Sequence, residues 1–314
     1  METRISTNAD ELRDCSKGEA LAAVDELLGA AERWEPSLIA YRLRSAFQAD
    51  WKTEVGCWLR FAKTHGFLAQ LMHRLQRALH EAAAPEVTGA NDKAHRILMQ
   101  ELTPAMTAYY FTRSGWDFVE WEPAASEGDI DLRLRCPFGA LSDIQVKAPD
   151  QPGERAGGQI VDGEHDDWVI AMTDKALKQL RLAPGPQRLA VIYAQRDWAP
   201  PANLFLGHLI GSTVGRASGV TLREKDRGAF AREPGIQVGA VLHLSLTRGV
   251  DDLLYRCTVF MNPWAQESAR PAVAAFRNAR ICHMVDDTFT WEPEQPNMAE
   301  YLPIGTRYIR TGSH

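Results

Sequence analysis

The 314-residue sequence lacks the features that mark secreted proteins, membrane-spanning proteins and proteins stabilised by a structural metal ion. Its five cysteines are odd in number and show neither CxxC nor Cys/His ligand spacing, which predicts reduced, buried or neutral thiols rather than a disulfide framework. No apolar run approaches the length of a membrane span, and the first residues contain no apolar signal segment. We therefore expect a cytoplasmic protein that does not enter a membrane.

The chain also lacks an excess of positive charge. Lysine and arginine number 35 against 41 acidic residues, a net charge of −6, so long-range attraction to polyphosphate is not a global property of the molecule. A nucleic-acid enzyme of this composition must use a local basic cleft. Walker A, G-x-S-x-G and dinucleotide-binding glycine patterns are absent, and the scattered histidines show no zinc spacing. These absences argue against P-loop nucleotide hydrolases, serine hydrolases with the G-x-S-x-G turn, dinucleotide-dependent enzymes and zinc enzymes.

What is present is an ordinary globular composition, with 45% hydrophobic and 24% charged residues. The length predicts two or three packed units. Changes of pattern along the chain divide it into an N-terminal helical region, a central core and a C-terminal α+β extension. We place these at residues 1–90, 91–197 and 198–314.

Apolar residues recur at helical spacing through the first ninety residues. The pattern predicts helices over 20–31, over roughly 37–61 and over 67–82, the last with a strong apolar stripe. Gly56 weakens the later half of the second helix. Residues 83–92 contain proline and glycine and are predicted to form a linker.

The central region changes to alternating strands and helices. A helix is predicted over Lys93–Thr112, although Pro104 could instead begin a second helix. The elements predicted after it are strands over 116–121, 130–136 and 142–147, a polar loop over 149–165, a helix over 173–182 and a buried strand over 188–194. A helix between the last two strands implies a parallel pairing. The fold class is therefore α/β (α+β), a mixed sheet flanked by helices.

Beyond Pro200 the chain offers more strands, over 238–246 and 254–261, and a short helix over 271–278. These elements either extend the same sheet or form a small appended domain. The sequence leaves both alternatives open.

The segment Gly128–Pro149, GDIDLRLRCPFGALSDIQVKAP, carries the strongest chemical signal. Alternate positions of each strand project to the same face of a sheet, so polar side chains share a face on both strands. Antiparallel pairing of two short strands joined by a tight turn then brings Asp131 close to Gln145 and Lys147. The residues of the two polar faces are Asp129, Asp131 and Arg133 on the first strand and Asp143, Gln145 and Lys147 on the second.

A carboxylate, an amide oxygen and an ammonium group together suit metal-assisted hydrolysis of a phosphodiester. A cation such as Mg²⁺ prefers oxygen ligands and keeps several waters, so one or two carboxylates suffice to bind it. The metal polarises the phosphoryl oxygen and lowers the pKa of a bound water. A lysine beside it can position that water and offset developing negative charge.

The same segment resembles two motifs of the PD-(D/E)XK nuclease superfamily, which has the restriction-endonuclease-like fold. Gly128–Leu132 (GDIDL) resembles the second motif, and its metal-binding aspartate aligns with Asp131 rather than Asp129. Gln145–Lys147 (QVK) resembles the third motif in its Q-x-K form, similar to that of the Mrr-like branch. The resemblance covers about a third of the chain.

This resemblance implies a Mg²⁺- or Mn²⁺-dependent endonuclease acting in restriction, phage defence or repair, with DNA rather than RNA as the expected substrate. The family's helical glutamate best matches Glu101. The implied metal ligands are Asp131, Glu101 and Gln145, and Lys147 completes the implied catalytic set. Basic helix faces often contact phosphates. The side chains expected to do so here are Lys175, Lys178 and Gln179.

Three features depart from the family pattern. Gln145 replaces an acidic residue, which removes one negative charge from the metal site. Glu101 lies farther from Gly115 than the pattern expects, with Pro104 between them. The segment after Lys147 is long and acidic, and its carboxylates belong either to a substrate loop or to a solvated one. These carboxylates are Asp162, Glu164, Asp166 and Asp167.

An alternative function comes from another class of protein. A restriction-like fold that has lost catalysis would serve as a nucleic-acid-binding or assembly module. Gln145, the position of Glu101 and the acidic net charge favour this alternative. The sequence leaves open whether the chain acts alone, as a homodimer or with a partner protein.

Overall fold

The structure is a computed structural model. It describes residues 6–34, 49–82, 90–123, 130–148, 162–181, 183, 185, 187–193, 207–211, 213–216, 219–223, 228–232, 235–248, 253–286, 288–292 and 306–309. The chain divides into two compact units. One is a helical unit, Asn8–Arg113 with Arg248–Leu254, and the other is a sheet unit, which comprises Met1–Thr7, Ser114–Thr247 and Tyr255–His314.

Six helices and twelve strands are numbered here in chain order within the described residues. The helices are α1 (Ala9–Leu12), α2 (Lys17–Trp34), α3 (Ala49–Thr64), α4 (Leu68–Ala82), α5 (Ala90–Arg113) and α6 (Asp162–Leu180). The strands are β1 (Ser6–Asn8), β2 (Asp117–Trp121), β3 (Leu132–Arg135), β4 (Leu141–Lys147), β5 (Gln187–Tyr193), β6 (Thr213–Arg216), β7 (Gly219–Arg223), β8 (Ala240–Arg248), β9 (Leu253–Met261), β10 (Arg280–Val285), β11 (Thr288–Glu292) and β12 (Thr306–Ile309). No described helix is both long enough and apolar enough to cross a bilayer.

The helical unit confirms the amphipathic patterns of the N-terminal region. In α4 the predicted stripe is buried at Leu71, Leu75 and Leu79, because these positions recur on one face of a helix. The predicted linker over 83–92 is wrong at its end, since α5 already begins at Ala90. Pro104 lies inside one continuous helix, which excludes the alternative of a second helix starting there. Residues 35–48 and 83–89 lie outside the described residues.

Gly56 has a different role from the one its helix propensity suggests. It lies in the middle of α3 and faces Ala20 of α2 so closely that a Cβ atom at this position would overlap the Ala20 backbone carbonyl. The two helices can therefore approach only because residue 56 has no side chain. The glycine stabilises the packing of α2 on α3 at the cost of a lower intrinsic helix propensity.

We expect Gly56→Ala to lower the free energy of unfolding by about 2 kcal/mol, since the backbone carbonyl cannot move aside without separating the helices. Thermal and urea unfolding followed by circular dichroism would measure the change. The matched control is Gly29→Ala in α2, where a Cβ would meet only the end of the Arg33 side chain at 3.8 Å. That control should be neutral or stabilising by about 0.5–1 kcal/mol. Equal effects of the two substitutions would contradict the close approach.

The sheet unit contains one 12-stranded sheet, in which β1 pairs with β9 beside the main path β2-β3-β4-β5-β8-β9-β10-β11-β12-β7-β6. Strands β2, β3 and β4 form an antiparallel meander. Strand β5 then pairs parallel to both β4 and β8. Helix α6 connects β4 to β5 and packs against both strands. The mixed α+β sheet flanked by a helix, predicted from the order of patterns, is confirmed.

Strand β5 lies between two parallel neighbours and is buried along most of its length. Its nearly continuous apolar sequence is the composition that a strand covered on both faces requires. Beneath it, α6 contributes Ala176, Leu177 and Leu180 to a cluster with Ala190 and Ile192. Helix α6 also contacts β4, the strand that carries the second half of the polar motif.

Three expectations about the sheet unit need correction or completion. The polar loop predicted over 149–165 is wrong for residues 162–165, because α6 begins at Asp162, and residues 149–161 lie outside the described residues. The four acidic residues over 162–167 therefore lie in a helix, where carboxylates are favoured near the N-terminus. The C-terminal strands extend the same sheet, which decides between the two open alternatives. The short helix predicted over 271–278 is reduced to a 3-10 turn at Val273–Ala275.

Candidate functional site

The candidate site lies on the hairpin formed by β3 and β4. Its turn is closed by two backbone hydrogen bonds of 2.9 Å, from Gly139 N–H to the Cys136 carbonyl and from Cys136 N–H to the Ala140 carbonyl. Gly139 has φ +89°, a left-handed conformation that glycine adopts without strain. The turn sets the register in which Leu132 faces Ile144. One step farther from the turn, Asp131 therefore faces Gln145.

Asp131 and Gln145 are in direct contact, as the predicted strand pairing requires. Oδ2 of Asp131 accepts a hydrogen bond from Nε2 of Gln145 and another, of 2.8 Å, from the backbone N–H of Val146. Asp131 is 9% exposed and Gln145 is 1% exposed. A carboxylate is thus held beside an amide in a mostly dry environment, where electrostatic interactions are stronger than in water.

In the parts of the chain that the structure describes, the Gln145 side chain is hydrogen-bonded through its amide nitrogen but not through its amide oxygen. Among the described residues, its Oε1 atom is buried and has no hydrogen-bond partner. A half turn of the amide would bring Oε1 next to the Asp131 carboxylate, an arrangement of two acceptors that a cation between them stabilises. The donor set of one carboxylate and one amide oxygen suits a hard divalent cation that keeps several waters. The residues present therefore fit Mg²⁺ or Mn²⁺.

Lys147 ends β4 two positions beyond Gln145 and is half-buried. Alternation along the strand places the two side chains on the same face of the sheet. The structure therefore brings the predicted aspartate, glutamine and lysine to one strand end. Their catalytic roles stay predictions.

Asp143 shares the polar face of β4 but has a structural partner. Its carboxylate accepts hydrogen bonds from Arg133 Nε at 2.7 Å and from the Gly185 N–H at 2.6 Å. Arg133 also reaches the Glu120 carboxylate on β2 at 3.3 Å. The hydrogen bond with Asp143 raises the pKa of the Arg133 guanidinium above its ordinary value. The sequence signal for this ion pair was present, since opposite charges face each other across the hairpin.

Glu101, the match for the family's helical glutamate, lies on α5 in the helical unit. Its Oε2 atom pairs with Arg74 Nε of α4 at 2.6 Å, and both side chains are about one-fifth exposed (19% and 21%). This partly buried pair links two helices of the same unit. The structure thus gives Glu101 a cationic partner, and its role as a metal ligand stays a prediction.

The remaining candidates lie on or near the sheet unit. Lys175 and Lys178 are exposed on α6, three positions apart and on the same helix face. Gln179 is half-buried beside them. Asp129 lies outside the described residues. Within the described part of the chain, no three His, Cys, Asp or Glu side chains form a metal-binding cluster, so a cation here would depend on Asp131, Gln145, water and substrate oxygens.

Comparisons with known proteins give little further information. No protein-family model matches the chain. No curated protein matches it. The chain is similar to a solved structure of SfsA from Pyrococcus furiosus in complex with Ca²⁺, with 13% identity over 49% of this chain and a TM-score of 0.23. The alignment spans 62% of that chain, and at this TM-score the likeness carries no argument about fold or function.

Proposed function

We propose that this protein is a metal-dependent endonuclease that hydrolyses DNA phosphodiester bonds at the site formed by Asp131, Gln145 and Lys147. The observation that carries the proposal is the buried contact between Asp131 and Gln145, in which Gln145 Oε1 has no hydrogen-bond partner among the described residues. The element order of α5, three antiparallel strands, α6 and a parallel strand is that implied by the resemblance to the PD-(D/E)XK superfamily.

In this proposal Asp131 and Gln145 hold Mg²⁺ or Mn²⁺, and water and substrate oxygens supply the other ligands. When bound, the cation supplies a Lewis acid and a water of lowered pKa. The backbone N–H of Val146 fixes the orientation of the Asp131 carboxylate. Lys147, on the same strand face, positions the attacking water and offsets the negative charge that develops on the phosphate.

The chain as a whole has a net negative charge, so DNA binding requires a local group of cationic side chains. The exposed pair Lys175 and Lys178, with Gln179, is proposed to contact the DNA backbone. Restriction, phage defence and repair are the proposed settings, since the superfamily that the hairpin resembles acts in them.

A direct cleavage assay tests the function. Purified full-length protein would be incubated with supercoiled plasmid, linear DNA, single-stranded DNA and RNA, each with Mg²⁺, with Mn²⁺ or with EDTA. We expect nicking or linearisation of DNA that requires the metal. Cleavage that persists in EDTA, or that is confined to RNA, would contradict the proposal.

A second function is favoured by the ion pair of Glu101. Because that carboxylate is engaged by Arg74, the cation is without the helical glutamate that the resemblance implies, and in this second function the protein is a nucleic-acid-binding or assembly module. Metal titration by calorimetry and DNA-binding titrations separate the two functions. DNA binding without metal binding and without cleavage would favour the module.

Gln145→Glu should tighten Mg²⁺ binding, because a second carboxylate increases the attraction for the cation. Without metal the same variant should be less stable than the wild type, since two carboxylates would then meet in a buried site. We therefore expect a lower Tm in EDTA and a larger rise of Tm with added Mg²⁺ than in the wild type. Differential scanning calorimetry and a calorimetric Mg²⁺ titration would measure both effects.

The matched control is Gln187→Glu on the neighbouring strand β5. Gln187 is also buried, and its Oε1 accepts a hydrogen bond from the Ser142 hydroxyl at 2.8 Å. This variant should lose stability without any recovery on adding Mg²⁺. If Gln145→Glu behaves in the same way as this control, Gln145 is not a metal ligand.

A further inference from the structure

Two cysteines that are distant in the sequence lie side by side in the helical unit. The Sγ atoms of Cys15 and Cys57 are 3.4 Å apart, although the residues are separated by 42 positions. Cys15 precedes α2, and Cys57 lies inside α3. The sequence predicted reduced, buried or neutral thiols, and the pairing follows only from the packing of α2 on α3.

The backbone on both sides of Cys15 is held in place. On its C-terminal side, the Ser16 N–H donates to the Glu19 carboxylate at 2.9 Å and the Glu19 N–H donates back to the Ser16 hydroxyl oxygen at 3.3 Å, which is a capping box at the start of α2. On its N-terminal side, Arg13 donates to the buried Glu54 of α3 at 3.2 Å, and Glu54 lies one helical turn before Cys57. The two sulfur atoms are therefore positioned by the structure around them.

The two thiols differ in exposure. Cys57 is fully buried, whereas Cys15 is partly exposed. Burial raises the pKa of the Cys57 thiol, and the nearby Glu54 charge and the contact with Cys15 add to the effect. A water-borne oxidant thus meets Cys15 first, and Cys57 is held ready to react with the product.

We propose that Cys15 and Cys57 form a redox-sensitive dithiol that closes to an intramolecular disulfide with a peroxide oxidant. The Cys15 sulfur attacks hydrogen peroxide and breaks its O–O bond, so that the sulfur keeps one oxygen as a sulfenic acid. The departing hydroxide takes up the proton of the Cys15 thiol and leaves as water. The Cys57 sulfur then attacks the sulfenic sulfur, the S–S bond forms, and the sulfenic oxygen leaves as the second water. Two thiols and one peroxide thus give one disulfide and two waters. A dithiol reductant such as reduced thioredoxin reverses the reaction.

The pair differs from the other three cysteines because one of its thiols is partly exposed. Cys136, Cys257 and Cys282 are all buried, which shields them from an oxidant in water. A disulfide needs its sulfur atoms about 2.05 Å apart, so the pair has to approach by little more than an ångström. The cross-link would join the segment before α2 to α3, at two positions that are 42 residues apart in the chain.

The test treats folded full-length protein with hydrogen peroxide, blocks remaining thiols with N-ethylmaleimide in denaturant, and maps tryptic peptides by mass spectrometry. We expect a disulfide joining peptide 14–17 (DCSK) to peptide 53–60 (TEVGCWLR), and its loss after treatment with dithiothreitol. The oxidised protein should also melt about 5–10 °C higher in the transition of the helical unit, because the cross-link restricts the unfolded chain.

Variants separate the pairing from general oxidation. Cys15→Ser, and Cys57→Ala as a second variant that adds no buried polar group, should each abolish the cross-link and the rise in Tm. Cys282→Ala removes a thiol of the sheet unit and should leave both unchanged. Conversion of Cys15 to sulfinic acid without a cross-link, or a disulfide that uses another cysteine, would overturn the proposal. So would a Cys15→Ser protein whose Tm rises with peroxide as much as that of the wild type.

Discussion

Asp131→Asn should abolish metal-dependent DNA cleavage while leaving the fold intact. The substitution removes the negative charge that holds the proposed cation, and a loss of at least about 10³ in rate corresponds to about 4 kcal/mol of barrier. The amide oxygen can still accept the Val146 N–H, and its NH₂ group can donate to Gln145 Oε1, which has no partner among the described residues. Initial rates on plasmid, at equal concentrations of folded protein, would measure the effect.

The control for this experiment is Asp117→Asn on β2. Asp117 is exposed and its strand lies at the edge of the same sheet, so the control removes a carboxylate from the same unit without touching the site. We expect wild-type cleavage from it. Full activity of Asp131→Asn with an unchanged Tm would remove Asp131 from the mechanism, and with it the proposed metal site.

Lys147→Ala is expected to lower turnover by about 10² or more, or about 2.7 kcal/mol of barrier. An ammonium that positions the attacking water stabilises the transition state more than the bound substrate. DNA affinity should change much less. The slope of log K against log salt should become shallower by the amount expected for the loss of about one phosphate contact. Single-turnover cleavage and salt-dependent binding titrations on one preparation would measure both quantities.

Lys178→Ala provides the comparison, because this exposed residue of α6 is proposed to touch phosphate rather than the reacting atoms. It should reduce the salt slope by a similar amount but leave single-turnover rates at saturating protein close to those of the wild type. If Lys147→Ala loses binding and turnover in equal proportion, Lys147 only anchors phosphate. If wild-type protein cleaves nothing with either metal, the binding-module function replaces the nuclease.

The hairpin that carries the site was predictable from the sequence alone. Polar and apolar residues alternate over 130–135 and 142–147, and Pro137–Gly139 supplies a turn between them. Since a register shift by one residue would move every apolar side chain to the wrong face, the pattern also specifies the pairing. The contact between Asp131 and Gln145 follows from that register, and the structure shows it.

Local signals weakened two helix predictions that the structure bears out, and a third signal was given too little weight. Gly56 is a poor helix former by propensity, yet it lies mid-helix because α2 approaches α3 there. Pro104 lacks a backbone donor, yet α5 continues through it. The acidic residues near 162–167 signalled a helix N-terminus, and a loop was predicted instead.

The sequence by itself determined the alternating elements of the core, the hairpin register and the buried character of β5, because side-chain periodicity is a local property of the chain. Only the tertiary structure decided that the C-terminal strands join the same sheet and that Glu101 pairs with Arg74. It also decided that Cys15 meets Cys57. These contacts connect residues far apart in the chain. Sequence periodicity shows which side of an element is apolar, but it does not show which distant segment packs against that side and buries it.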